Sequence, residues 1–103
     1  MAVRARLDEA EVAAFLSSHR GWRSEKGELR RTYSFSSFKE SLRFVNEVAA
    51  LAESESHHPD IDLHYRHVTI ALITYDLDGV TGRDAEMAVK IDALKASFEK
   101  TSP

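Results

Sequence analysis

The chain has 103 residues, which fits one compact domain, residues 1–103, and leaves no room for a second. Its net charge of −3 argues against nonspecific binding to nucleic acid, which needs a basic face. The absence of cysteine excludes disulfides and thiolate chemistry. No apolar stretch approaches the ~18 residues of a membrane span, and Met1–Leu7 does not resemble a secretory leader, so we expect a cytoplasmic protein with no membrane contact.

The first predicted elements are a helix and a hairpin. Asp8 and Glu11 form a capping-box pattern, which predicts that the helix begins at Asp8. The Lys26–Gly27 pair predicts a tight turn between two strands, because glycine readily takes the positive φ such a turn needs. Apolar and polar residues alternate over Leu29–Phe35, the pattern of a strand. Arg31 interrupts the apolar face of this strand, which a sheet edge would tolerate.

A long second helix is predicted next. Ser37 is followed three residues later by Glu40, which again indicates a helix start. The apolar stripe over Phe38–Ala52 is wide, which favours burial on more than one side. Glu53–Ser56 is expected to be a fraying end of this helix.

A second hairpin is predicted over Asp60–Tyr75, with Arg66–His67 as its two-residue loop. Such a loop fixes the pairing of the two strands. It places Tyr65 opposite Val68, His64 opposite Thr69, Asp62 opposite Ala71 and His58 opposite Tyr75. The run Asp76–Gly79 then ends the strand.

The last predicted helix begins at Thr81, with Asp84 at its third position. Its apolar face is formed by Met87, Ile91, Leu94 and Phe98. The element order is therefore α-β-β-α-β-β-α. We predict an α+β fold with a four-stranded antiparallel sheet and three helices packed on one face.

Histidine is the usual acid–base group near neutral pH, and two of the five histidines are adjacent in sequence. The predicted pairing gathers His57, His58, Tyr75 and Asp84 at one corner of the fold. Each of these residues could instead have a purely structural role. Adjacent loop histidines are often surface residues, Tyr75 can cover a strand end, and Asp84 can cap the last helix.

A metal site is the alternative interpretation of the histidines and aspartates in this region. His58, Asp60, Asp62 and His64 would share one face of a strand, but successive members lie ~7 Å apart along it. No tight tetrahedral set of ligands results, so we predict no metal.

The full spacing resembles that of the pterin-4a-carbinolamine dehydratase family. The resemblance covers nearly the whole chain, including the elements around Trp22 and the helix ending at Glu53. It is carried by Glu53, His57-His58-Pro59, Tyr65, position 75 and Asp84, with Gly79 and Arg83 at the entry to the last helix.

The resemblance implies a hydro-lyase that dehydrates 4a-hydroxytetrahydropterin to quinonoid dihydropterin without metal or other cofactor. It implies catalytic roles for His57, His58 and Asp84. It also implies pterin-binding roles for His57, His58, Pro59, Tyr75 and Glu53. Homodimers or homotetramers are implied as well, and self-association would help a domain of this size.

The chain departs from the family pattern at Tyr75, which stands where the family has a third histidine. A phenol with an ordinary pKa near ~10 stays protonated at pH 7 and is a poor general base. The alternative function is therefore that of a weakly active or inactive relative that binds a protein partner. The resemblance includes such members, which act as dimerisation cofactors of a transcription factor or assist Rubisco assembly.

Overall fold

A computed structural model describes residues 5–101, except for the side chains of residues 99–101. The predicted element order is confirmed. The helices are α1 (Glu9–Ser18), α2 (Phe38–Glu55) and α3 (Gly82–Thr101), and the strands are β1 (Arg23–Glu25), β2 (Glu28–Ser34), β3 (Asp60–His64) and β4 (His67–Leu72). Met1–Arg4 of the leader prediction lies outside the described residues. Within residues 5–101, no helix is both long and apolar enough to cross a bilayer.

The first helix and the first turn form as predicted. Asp8 caps α1 by accepting the backbone N–H of Glu11, and the side chain of Glu11 accepts the backbone N–H of Asp8. Lys26 and Gly27 both have positive φ, 54° and 78°, which matches the twist of the strands that they join.

The second helix is longer at its end than the sequence indicates. Ser37 caps its start by accepting the backbone N–H of Glu40. The expected fraying over Glu53–Ser56 is wrong, because α2 continues regularly to Glu55. Ser56 then closes the helix in the left-handed conformation, with φ 52° and ψ 41°. This sharp end fixes the direction in which the next two residues leave the helix.

The four strands form one antiparallel sheet in the order β1-β2-β4-β3. The helices cover one face, where the inward side chains of β2 and β4 meet the apolar residues of α2 and α3. The core of this layer is fully or almost fully buried and includes Leu29, Tyr33, Phe44, Val48, Val68, Ile70, Leu72, Met87, Ile91 and Phe98. The rings of Tyr33 and Phe35 each lie 5.0 Å from that of Phe44.

The predicted register of the second hairpin is wrong by two residues. His64 pairs with His67 and Leu63 with Val68, so the loop is Tyr65–Arg66 and not Arg66–His67. Tyr65 takes a positive φ of 51° to make this turn. The predicted pairs of Tyr65 with Val68, His64 with Thr69, Asp62 with Ala71 and His58 with Tyr75 do not form. Because strand side chains alternate with period two, the shift leaves the inward-facing residues unchanged.

Arg31 has a partner on the last helix, which explains its place on the apolar face. Its guanidinium lies 3.1 Å from Asp92 and also donates to the backbone oxygen of Arg20. Asp92 accepts two further hydrogen bonds, from the Tyr33 hydroxyl at 2.6 Å and from the Trp22 indole at 3.0 Å. This polar cluster of Trp22, Arg31, Tyr33 and Asp92 attaches the first hairpin to α3.

The segment between β4 and α3 differs from the prediction that the strand runs to Tyr75. The strand ends at Leu72, and Tyr75 begins a short 3-10 helix that ends at Leu77. Two backbone hydrogen bonds between Thr74 and Gly79, of 2.9 and 3.4 Å, close the turn that contains this short helix. Thr74 is therefore held in place although it lies outside the strand.

Candidate acid–base site

His57 and Asp84 form a buried pair, although 27 positions separate them in the sequence. The Nε2 atom of His57 lies 2.6 Å from Oδ1 of Asp84. Asp84 is 0% exposed and His57 is 8% exposed. A buried carboxylate at this distance orients the imidazole ring and fixes the nitrogen that carries its proton.

The elements that position the pair are the end of α2 and the start of α3. The left-handed turn at Ser56 directs His57 back toward the sheet, and the backbone N–H of His57 donates to the oxygen of Ala52 at 3.1 Å. Asp84 lies in the first turn of α3, where the positive end of the helix dipole favours a carboxylate.

Two threonines complete the surroundings of Asp84. Its Oδ2 atom accepts the hydroxyl of Thr74 and the backbone N–H of Thr81, each at 2.8 Å. The sequence predicts that the helix begins at Thr81. The bond from its backbone N–H to the side chain of Asp84, three residues later, is one of the two bonds of a capping box. Thr74 was missed, because a threonine near the end of a strand carries no local signal of a polar contact.

His58 lies beside the pair but in a different environment. Its Nε2 atom contacts Oε2 of Glu53 at 2.7 Å, and the two side chains are 62% and 79% exposed. A contact this exposed contributes little to stability. The contact orients an imidazole that remains open to solvent. The half-buried Pro59 follows and leads directly into β3.

A shallow hollow of about 210 Å³ opens between these elements. His57, His58 and Tyr75 line it, together with Ser56, Ile73, Thr74, Asp76 and Arg83. Pockets for drug-sized ligands measure ~300–1,000 Å³, so this hollow suits a small ring system. Asp84 does not line it and lies behind His57.

The hydroxyl of Tyr75 points toward Asp60. It lies 3.2 Å from both carboxylate oxygens of Asp60, on the face of the sheet opposite the helices. This hydrogen bond is the main reason that the pKa of Tyr75 is raised above its ordinary value, and the negative charge of Asp60 adds to it. Tyr75 is 65% exposed and is one of the residues that line the hollow. The raised pKa keeps the phenol protonated at neutral pH, which makes it a poor base.

Arg83 is a site-lining residue that the resemblance placed only at the helix entry. Its guanidinium donates to the backbone oxygens of Glu55 and Ser56 at 3.2 and 3.0 Å. These carbonyls end α2 and have no partner within the helix. Arg83 thereby attaches the turn that carries both histidines to the start of α3.

The other histidines lie elsewhere. His64 and His67 pair at the hairpin tip, and the Nδ1 atom of His67 lies 2.9 Å from the hydroxyl of Ser34. His19 follows α1 and stacks on Phe15, with ring centroids 4.1 Å apart. Tyr65, part of the spacing that carries the resemblance, is at the same hairpin tip. Within residues 5–101, no three histidine, aspartate or glutamate side chains converge as a metal site would require.

Fold and site together define a class: a small α+β domain with a buried histidine–aspartate pair and a second, exposed histidine at one hollow. The family model for pterin 4 alpha carbinolamine dehydratase matches residues 5–94. The chain therefore belongs to this family.

Curated relatives agree with the family model. A "putative pterin-4-alpha-carbinolamine dehydratase" of Thermomicrobium roseum is 44% identical over 90 residues, which are 87% of this chain and 97% of the relative. A protein of the same name from Roseiflexus castenholzii is 42% identical over 88 residues, 85% of this chain and 95% of the relative. The likeness thus extends over almost the whole of both relatives.

Two solved structures share the fold. A transcriptional coactivator/pterin dehydratase from Brucella melitensis has a TM-score of 0.82 and 32% identity, covering 86% of this chain and 97% of that one. A pterin dehydratase-like protein, identified as a RuBisCO assembly factor in the alpha-carboxysome, has a TM-score of 0.63 and 28% identity. It covers 74% of this chain and 90% of that one.

Proposed function

We propose that this protein dehydrates 4a-hydroxytetrahydropterin to quinonoid dihydropterin, as a hydro-lyase that recycles a pterin cofactor. The observation that carries the proposal is the 2.6 Å contact between His57 and Asp84 at the back of a hollow that His58 also lines. Family membership supplies the substrate class. Among the described residues, this is where two imidazoles border one ring-sized hollow.

The reaction needs one proton donor and one proton acceptor. The C4a–O bond breaks while the N5 proton is removed, a C4a=N5 double bond forms, and water leaves. His57 is suited to accept the N5 proton, because its Nε2 is committed to Asp84 and its Nδ1 has no hydrogen-bond partner among the described residues. Among the described residues, every buried side-chain nitrogen and oxygen has a hydrogen-bond partner. Since Nδ1 has none, it is not buried, and it is open to the hollow that His57 lines.

His58 is suited to deliver the proton to the leaving hydroxyl. Its ring is exposed to solvent, and Glu53 holds its Nε2. Pro59 fixes the backbone that follows this ring, because its φ is restrained. The Tyr75 ring forms a wall for the pterin, and the hydroxyl stays with Asp60. A positioned acid or base contributes ~10²–10⁴-fold to a rate.

The test is a direct dehydratase assay on the purified protein and on His57→Ala and His58→Ala. Each variant is expected to lose about 10²–10⁴-fold in turnover while retaining its fold. His64→Ala is the matched control, because His64 is exposed at the hairpin tip. Unchanged turnover in both site variants would remove the mechanism.

A second candidate function is that of an interaction or assembly factor with little catalysis. Two observations favour it: Tyr75 at the position of the third family histidine, and the fold shared with the carboxysome assembly factor. Titration with a dihydropterin analogue separates the two functions. Saturable binding supports the dehydratase, and no signal at millimolar concentration supports the interaction factor.

Self-association is part of the proposal. A 103-residue domain gains stability when it buries surface between copies. Tyr75 is exposed and Ile73 half-buried just beyond the end of β4, where two apolar side chains are open to contact with another copy. Size exclusion with light scattering is expected to give a dimer or tetramer, and a strict monomer would contradict the expectation.

A further inference from the structure

The carboxylate of Asp84 is the end point of a one-way chain of hydrogen bonds. The backbone N–H of Arg83 donates to the hydroxyl oxygen of Thr81 at 3.2 Å. The hydroxyls of Thr81 and Thr74 lie 2.8 Å apart, and the Thr74 hydroxyl donates to Oδ2 of Asp84 at 2.8 Å. A backbone N–H can only donate and a carboxylate can only accept, so both hydroxyl hydrogens are directed toward Asp84.

The other contacts of Asp84 are donors as well. Oδ2 also accepts the backbone N–H of Thr81 at 2.8 Å, and Oδ1 lies 2.6 Å from Nε2 of His57. Surrounded by donors, the carboxylate functions as an acceptor. The hydrogen between it and His57 therefore belongs to Nε2, and in the neutral imidazole Nδ1 is the nitrogen with the free lone pair.

This network is shielded from water. Asp84 and Thr81 are 0% exposed and Thr74 is 5% exposed. Hydrogen bonds in such surroundings are stronger than in water, and removing one partner from a buried polar network affects its other members. The orientation of the carboxylate thus depends on the two donors that hold Oδ2, the Thr74 hydroxyl and the Thr81 backbone N–H.

We propose that Thr74 is a positioning residue whose hydroxyl fixes the Asp84 carboxylate and thereby keeps the proton of His57 on Nε2. The inference rests on the proposed function in that an open Nδ1 on His57 is the proton acceptor there. Without the Thr74 hydroxyl, Oδ2 loses a donor and the Thr81 hydroxyl loses its 2.8 Å partner. Oδ2 then keeps the Thr81 backbone N–H at 2.8 Å, and the Thr81 hydroxyl lies 3.5 Å from it. We expect this weaker hold to let the carboxylate turn, so that the imidazole can place its proton on either nitrogen.

Thr74 can be tested without disturbing a helix cap. Thr81 precedes α3 and its hydroxyl accepts a backbone N–H of the first turn, so its replacement would weaken the helix itself. The backbone of Thr74 is bonded to Gly79 independently of its side chain. Valine keeps the branched shape of threonine and removes only the hydroxyl.

The experiment compares Thr74→Val with Thr74→Ser, which restores a hydroxyl. Thr32→Val is the matched control, because the Thr32 hydroxyl also lies 2.8 Å from another threonine, Thr69, on the outer face of the sheet. Each protein is labelled with ¹⁵N-histidine, and the imidazole nitrogen shifts of His57 report its tautomer. Turnover and KM are measured in parallel.

The expected result has two parts. Wild type and Thr32→Val show one tautomer with the proton on Nε2, whereas Thr74→Val shows a mixture. Thr74→Val also loses about 10–100-fold in kcat with KM nearly unchanged, less than the ~10⁴-fold lost when a catalytic histidine loses its aspartate partner. Thr74→Ser recovers most of the rate and the single tautomer.

The inference is overturned if folded Thr74→Val keeps both the wild-type imidazole shifts and the wild-type kcat. Failure of the proposed function is a separate outcome, in which neither the wild type nor any variant turns over the pterin. The imidazole shifts of His57 still decide the role of Thr74 in that case. Thr74→Ala repeats the comparison if the valine variant does not fold, and a wild-type spectrum there overturns the inference equally.

Discussion

The phenol oxygen of Tyr75 lies 3.2 Å from both carboxylate oxygens of Asp60. The bond joins the wall of the hollow to the first residue of an edge strand. It also gives this tyrosine a neutral, hydrogen-bonded role at the position where the family pattern has an ionisable imidazole. In the proposed function, acid–base work is thereby left to His57 and His58.

The first prediction concerns the titration of Tyr75. Its pKa is raised because ionisation would break the bond to Asp60 and place two negative charges together. The bond therefore stabilises the fold below the ordinary tyrosine pKa of ~10, and this contribution is lost as the pH rises through the higher folded value. Asp60→Asn is expected to bring the pKa of Tyr75 closer to ~10.

Ring signals in NMR spectra recorded against pH measure this change. Asp62→Asn is the control, because Asp62 faces outward on the same strand and has no contact with Tyr75 in the structure. A Tyr75 titration that is identical in all three proteins would show that the bond to Asp60 is absent in solution.

The second prediction concerns the missing histidine. Tyr75→His is expected to raise dehydratase turnover by about 10–100-fold, because it adds an acid–base group at the border of the hollow. Tyr65→His serves as the control, since Tyr65 is equally exposed but lies at the hairpin tip. If the rate of Tyr75→His does not rise, position 75 takes no part in the chemistry.

The third prediction concerns alkaline unfolding. Burial and the hydrogen bond to Asp92 raise the pKa of Tyr33 far above its ordinary value. The unfolded chain releases this proton near pH ~10 while the folded chain keeps it, so stability falls above that pH by up to ~1.4 kcal/mol per pH unit.

Urea unfolding at pH 8 to 11 measures the slope. Tyr33→Phe is expected to flatten it relative to wild type, although the variant is less stable at pH 8 by ~1 kcal/mol because Asp92 loses a donor. Equal slopes in the two proteins would mean that Tyr33 ionises as readily in the folded chain as in the unfolded one.

The fourth prediction concerns the end of α2. Ser56 is left-handed at φ 52°, a conformation that costs a residue with a Cβ atom roughly 1 kcal/mol more than glycine. Ser56→Gly is therefore expected to raise the melting temperature by a few degrees. Ser54→Gly, two positions earlier within the helix, is expected to lower it. Scanning calorimetry of both variants checks the opposite signs.

The sequence predicts the fold better than it predicts the register of the second hairpin. Capping residues and the Lys26–Gly27 turn are local signals, and they locate the helices and the first hairpin correctly. The second hairpin has no glycine or asparagine at its tip, so the nearby sequence does not indicate which two residues form the loop. Hydrogen bonds from residues distant in sequence stabilise the observed loop: the Ser41 hydroxyl donates to the backbone oxygen of Tyr65, and the backbone N–H of Phe35 donates to that of Arg66.

The candidate site shows the same division. Sequence spacing brings His57, His58 and Asp84 into consideration, and the structure places the first and last of them in direct contact. The sequence does not predict that the Thr74 hydroxyl contacts Asp84 or that the Asp60 carboxylate contacts Tyr75. Both contacts depend on the turn closed by the bridge between Thr74 and Gly79, which turns Tyr75 out of the strand.

The meeting of the α2 and α3 ends has an electrical consequence. The carboxyl end of α2, at Ser56, and the amino end of α3, at Arg83, flank the same hollow. The first presents backbone carbonyls and the second presents backbone amides. Peptide dipoles do not titrate, so the field between the two helix ends persists at every pH at which the chain is folded. A ring bound there meets a built-in polarity that no single side-chain replacement removes.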